Sequence, residues 1–157
     1  MTDVYYADLF NINSKGCLIM GFGKSCTCRN YTGQSTKEIS SDFVCFEKIN
    51  NDLIGYSGYA LMARRPINPK TDPHITINYI LRMLNIEETE QLGIQQITSV
   101  DLGTIVKMCE FNVNFNQACD RTDEFRSLIS NSNIKFLLVP WCDSMEIKGK
   151  LISDYIK

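Results

Sequence analysis

Histidine occurs once in this chain of 157 residues, as His74, and tryptophan once, as Trp141. A single imidazole excludes acid–base chemistry that divides its proton transfers between two histidines of one chain. An excess of charge of one sign is also missing. Sixteen basic residues face eighteen acidic ones, for a formal net charge of -2. The balance holds along the chain, with seven basic and eight acidic residues between positions 101 and 157. No segment therefore offers the basic face that a nucleic acid requires, and none is expected as a partner. Long apolar runs are absent too. Cys17–Phe22 and Phe136–Val139 are strand-length, well short of the roughly 18 residues of a membrane span. The first residues, Met1-Thr2-Asp3-Val4-Tyr5-Tyr6, lack the basic start and apolar core of a signal peptide. Asp154-Tyr155-Ile156-Lys157 is no lipidation signal. These features predict a soluble cytoplasmic protein without a membrane partner.

What remains is of ordinary composition. Hydrophobic residues make up 44% and charged residues 22%, which excludes a disordered chain, a coiled coil and a collagen-like chain. The seven cysteines, at 17, 26, 28, 45, 109, 119 and 142, are odd in number and irregularly spaced. They read as free, reduced thiols filling core positions rather than as a disulfide framework. Asn30-Tyr31-Thr32 matches a glycosylation acceptor, to which a cytoplasmic chain gives no use.

The first 63 residues read as strands. Val4–Ile12 and Cys17–Phe22 flank the turn Asn13-Ser14-Lys15-Gly16 and form a hairpin. The polar stretch from Ser25 to Ser41 reads as a loop with a short helix near Thr36–Ile39. Phe43–Ile49 and Leu53–Ala63 form a second hairpin around Asn50-Asn51-Asp52. Gly55 and Gly58 inside it mark a bulge or a close backbone approach. Prolines at 66, 69 and 73 make 64–73 the clearest boundary in the chain.

Beyond it, Ile75, Tyr79, Ile80, Met83 and Leu84 recur with helical spacing. Asp72-Pro73 supplies a good helix start, so a helix is predicted from Pro73. Glu87, Glu88 and Glu90 open a short helix ending near Gly93. Cys109, Phe111, Val113 and Phe115 alternate with polar residues, which predicts a half-exposed strand over Cys109–Asn116. Its edge carries no proline, lysine or bulge signal and so suits pairing with a second copy. A helix carrying Phe125, Leu128 and Ile129 follows, then a buried strand over Ile134–Val139 stopped by Pro140. Ile147, Leu151, Ile152, Tyr155 and Ile156 predict a last helix, beginning after the unfavourable Gly149.

Four constellations could carry chemistry. Gly21-Phe22-Gly23-Lys24-Ser25 resembles the end of a phosphate-binding loop. Leu18 stands where the full motif has its first glycine, and Cys26-Thr27-Cys28-Arg29-Asn30 is a poor helix start. The segment is therefore read as a glycine-bearing strand end. Cys26 and Cys28, with Cys17 and Cys45 nearby in sequence, provide one close pair where zinc usually takes two. Arg64-Arg65 with Lys70 suits an acidic partner or a solvated linker. Pro73-His74-Ile75-Thr76-Ile77 resembles one of the two His-x-Thr/Ser motifs of the 2H phosphoesterases. That resemblance implies His74 as an acid–base group and Thr76 as a phosphate-binding hydroxyl. The second motif would fall at Val139-Pro140-Trp141-Cys142-Asp143-Ser144, where Trp141 replaces the histidine and cannot carry a proton.

The sequence thus predicts a single α+β domain. Antiparallel N-terminal β hairpins (1–63) lead through a proline-rich connection (64–73) to helices and a mixed sheet (74–157). The expected function is a non-catalytic protein–protein interaction module that self-associates, with no cofactor, no metal and no committed catalytic residue. The first rival is a degenerate 2H-phosphoesterase-like protein that binds or cleaves a phosphodiester or nucleotide around His74 and Thr76. The second is a cysteine-based metal-binding domain.

Overall fold

The structure is a computed structural model that describes residues 1–21, 36–109, 112–114 and 117–157, with 112–114 and 117–120 described by their backbone. Strands β1 (Asp8–Ile12) and β2 (Lys15–Gly21) form the first predicted hairpin. Its turn is tighter than the sequence reading. Asn13 and Ser14 alone span the strands, with φ of 52° and 68°, the double positive φ that matches a hairpin's twist. Lys15 and Gly16 already belong to β2. Strand β3 (Thr36–Ser40) pairs antiparallel with the outer edge of β1, in place of the expected loop and short helix near Thr36–Ile39. Backbone groups along Leu9–Ile12 have no partner on that side unless this segment supplies them.

Strands β4 (Val44–Ile49) and β5 (Asp52–Ser57) form the second hairpin. The end of the predicted second strand turns instead into a short helix, α1 (Tyr59–Met62). Gly55 is the close approach that the sequence signalled: a Cβ there would lie 2.8 Å from a methyl of Leu9.

The largest correction concerns Pro73–Leu84. The segment is not a helix but strand β6 (His74–Met83), the longest in the sheet. Its first residues pair antiparallel with β5, Tyr56 opposite His74. Its remainder lies between two parallel neighbours, β2 and β10 (Lys135–Val139). The apolar residues divide between two faces: Ile77, Ile80 and Leu84 join one core cluster, Leu81 and Met83 the other. A strand buried on both sides shows no clean alternation, so its apolar spacing imitated a helix. The β-branched run Ile75-Thr76-Ile77 favours the strand.

The remaining elements are α2 (Ile86–Leu92), β7 (Thr98–Val100), α3 (Leu102–Met108), β8 (Asn112–Asn114), β9 (Gln117–Asp120), α4 (Thr122–Ile129) and α5 (Met145–Tyr155). The result is an α+β fold whose main sheet runs β3-β1-β2-β6-β10-β7, with the β4–β5 hairpin joined through β6. One face of the sheet packs against the hairpin, α3 and α4, through Phe46, Ile105 and Phe125 among others. The other face packs against α5 through Ile152 and Ile156. No helix among the described residues is long and apolar enough to cross a membrane.

Two further expectations are corrected. Cys109 does not open a strand: it closes α3, its N–H bonded to the Ile105 carbonyl, and it is buried. Among the described residues of the predicted strand, 112–114 are extended and pair with β9 at two positions. Residues 110, 111, 115 and 116 lie outside the described residues. Helix α5 begins before Gly149, at Met145, because Ser144 caps it by accepting from the Ile147 N–H. Gly149 faces the interior, while Ile147, Leu151 and Tyr155 are exposed.

Candidate functional site at the strand ends

Three parallel strands stop at one edge of the sheet. Gly21 of β2 is opposite Met83 of β6, and Met83 is opposite Val139 of β10. The carboxyl ends of parallel strands are where open α/β sheets usually hold ligands. A cavity of about 410 Å³ lies there, lined among the described residues by Tyr6, Met20, Gly21, Arg82, Asn85, Glu88 and Cys109. Its size falls within the range of small-molecule sites.

Gly21 is fixed by its surroundings. Its φ is +100°, and a Cβ would meet the Met83 carbonyl oxygen at 2.3 Å and Arg82 Nη1 at 2.8 Å. Both facts require glycine. This residue begins the Gly-Phe-Gly-Lys-Ser segment; Phe22 to Ser25 lie outside the described residues.

Arg82 is the charged member of an otherwise apolar stretch of β6. Its Nε donates to the Met108 carbonyl at 2.9 Å. Nη1 donates to the Met83 carbonyl and to Glu88 Oε1, and Nη2 donates to Glu88 Oε2 at 2.8 Å. The pair is largely enclosed, with the Arg82 side chain 15% exposed and Glu88 26%. Glu88 also serves the local helix start. Asn85 accepts from the Glu88 N–H at 2.8 Å, and Glu88 accepts from the Asn85 N–H at 3.0 Å. This reciprocal cap sets α2 against the cavity. Burial opposes ionisation of Glu88, but the Asn85 N–H and the Arg82 guanidinium outweigh it and hold the carboxyl below its ordinary pKa. Burial pushes the Cys109 thiol up to about 12, so it stays protonated near neutrality and is no thiolate nucleophile.

The sequence reading passed over Arg82 and Asn85. Two signals were present: an arginine within the apolar stretch Ile77–Leu84, and Asn85 three residues before Glu88.

His74 and Thr76 stand elsewhere. They occupy the beginning of β6, opposite Tyr56 and Ile54. The His74 ring lies 5.1 Å from that of Tyr56, and its Nδ1 is 2.8 Å from the Asp72 carbonyl. Trp141 follows the far end of β10, its backbone N–H donating to Thr89 Oγ1. Because β6 and β10 are parallel, almost the whole ten-residue strand separates them, roughly 30 Å at the usual rise. The sheet therefore does not bring Trp141 or Asp143 to His74. Arg65 forms a two-bond ion pair with Asp72, at 3.0 and 2.8 Å. Cys17, Cys45, Cys109 and Cys142 are free thiols, and Cys26 and Cys28 lie outside the described residues. Among the described residues no three histidine, cysteine, aspartate or glutamate side chains converge.

A sheet with a glycine-ended parallel strand and a cavity beyond it is an architecture suited to holding an anionic ligand. The fold has a counterpart among solved structures. The chain is similar to the HPr(Ser) kinase/phosphatase from Coxiella burnetii, with a TM-score of 0.56 over 99% of this chain and 97% of that one, at 13% identity. No family model matches the sequence, and no curated protein does. The likeness spans both proteins nearly end to end, and it overturns the expectation of a non-catalytic protein–protein interaction module.

Proposed function

We propose that the protein is a phosphoryl-transfer enzyme of the kinase/phosphatase type, whose phosphate-bearing ligand sits at the carboxyl ends of β2 and β6. One observation carries the reading. In a fold like that of a kinase/phosphatase, the one stretch resembling a phosphate loop starts at Gly21, where a central parallel strand ends beside a cavity. Backbone N–H groups after a glycine-ended strand can approach a phosphate closely, and a following lysine adds its charge. Lys24 takes that role and Ser25 supplies a hydroxyl. Leu18 stands where the full motif has glycine, so the stretch matches only the end of that motif. A cytoplasmic location fits this activity, since nucleoside triphosphates and reduced thiols are both found there.

The test is calorimetric titration of the purified protein with ATP and magnesium, together with release of phosphate from ATP. Wild-type protein should bind. Lys24→Ala should weaken binding by about tenfold or more, the cost of one charge-assisted contact, without lowering the melting temperature. Wild-type protein that is folded yet silent towards millimolar ATP would overturn the reading.

A further inference from the structure

We propose that Arg82 is an anion-binding residue of the strand-end cavity, and that Glu88 occupies the outer N–H groups of its guanidinium until a phosphate group takes them over. This rests on the proposed function only in taking the anion to be the phosphate of that same ligand. Arg82 reaches across the end of β2, and only the missing side chain of Gly21 makes room for it, since a Cβ there would lie 2.8 Å from Nη1 and 3.0 Å from Cδ. The guanidinium therefore borders the point at which the Gly-Phe-Gly-Lys-Ser segment departs.

A guanidinium has five N–H groups. Bonds to Met108, Met83 and Glu88 engage four of Arg82's, leaving one Nη2 N–H without a partner among the described residues. The two carbonyl bonds hold the group in place whether or not Glu88 is bound. Glu88 in turn keeps the Asn85 N–H if it lets the arginine go. Glu88 Oε1 thus keeps a partner, and the 26% exposure of its side chain gives Oε2 access to water, which lessens the usual penalty for breaking a buried ion pair. Phosphate carries more charge than carboxylate and accepts the same forked pair of bonds, so it is the better partner once it arrives.

The chemistry predicts opposite effects at the two residues. Titrations use pyrophosphate and ATP as probes, on wild type, Arg82→Met, Arg82→Lys and Glu88→Gln, each checked by thermal melting. Glutamine preserves the helix cap but frees the guanidinium from its competing charge, so Glu88→Gln should bind pyrophosphate several-fold more tightly than wild type. Arg82→Met should bind about tenfold or more weakly, the loss expected for charge-assisted hydrogen bonds. Arg82→Lys should fall between, and it carries the test if the methionine variant melts early. A merely structural ion pair would give equal or weaker binding in folded Glu88→Gln, and that result overturns the proposal. ATP binding lost in Lys24→Ala but indifferent to Arg82 sinks this inference and leaves the proposed function standing. Pyrophosphate binding that follows Arg82 without any affinity for ATP does the reverse. No binding of either probe to wild type or to Glu88→Gln sinks both.

Discussion

Gly16 offers the sharpest test of how the sheet is built. It lies at the start of β2, where the register with β6 shifts between Gly16 and Cys17, and its N–H donates to Asn78 Oδ1 at 3.0 Å. A Cβ there would sit 1.9 Å from the Thr76 carbonyl oxygen and 2.8 Å from its carbon. Those atoms are backbone of a strand pinned on its far side by β5, so a rotamer change cannot relieve the contact. The strands would have to part by more than 1 Å, with loss of ladder hydrogen bonds, and Gly16→Ala should cost about 3 kcal/mol. Gly103 provides the opposite case. It lies in the first turn of α3, and the nearest atom to a Cβ is Asp101 Oδ1 at 3.7 Å. Gly103→Ala should stabilise by about 0.5–1 kcal/mol through helix propensity. Urea unfolding with a common slope measures both. At about 2–4 °C per kcal/mol for a chain of this length, the first variant should melt roughly 6–12 °C lower and the second slightly higher. Gly16→Ala unfolding at the wild-type urea concentration would refute the packing of β2 on β6.

Other consequences are open to simple assays. Burial pushes the thiols of Cys17 and Cys109 up to about 12 and that of Cys45 up to about 11, so these should resist iodoacetamide at pH 8. Cys142, which is half-buried, should alkylate first of the four, as peptide mass spectrometry will show; faster labelling of Cys17 would contradict its core position. Hydrogen bonds from Arg65, then the Asn68 N–H, hold the Asp72 carboxyl down at about 2. A carboxylate with a depressed pKa contributes its stabilisation above its unfolded value, near 3.9, and loses it as pH falls through 2. The Asp72 carboxyl resonance should titrate at the low value in wild type and return towards 3.9 in Arg65→Ala; an unchanged midpoint would show that the ion pair is absent in solution.

Local signals were legible in the sequence where one short stretch decides the outcome. Asn13-Ser14 and Asn50-Asn51 made hairpins, the proline run made a connection, and Glu87–Gly93 made a short helix closed by Gly93 at a φ of 64°. The α+β class followed from those elements. Reading failed where tertiary pairing decides. Ile75–Leu84 carries a helical spacing of apolar residues because β6 is buried on both faces, and nothing within ten residues announces that β2 and β10 will flank it. The same blindness hid the site. Gly21, Arg82 and Cys109 meet only because the ends of β2, β6 and α3 converge, so the phosphate-loop resemblance at Gly21 stood alone in the sequence and lost its weight. His74 drew attention as the only histidine, yet chemical rarity does not report where a strand begins.

The most direct measurement is an amide chemical-shift map of the isotopically labelled protein during titration with ATP and magnesium. A ligand at the carboxyl ends of the parallel strands should move Met20, Gly21, Met83, Asn85 and Glu88 first, and leave the opposite end of the sheet, Ser14, Gly16 and His74, unmoved. Saturable shifts centred on Gly21 and Asn85 are the result the account predicts. Saturable shifts centred instead on His74, Thr76 and Tyr56, or none at all in a folded protein, would contradict it.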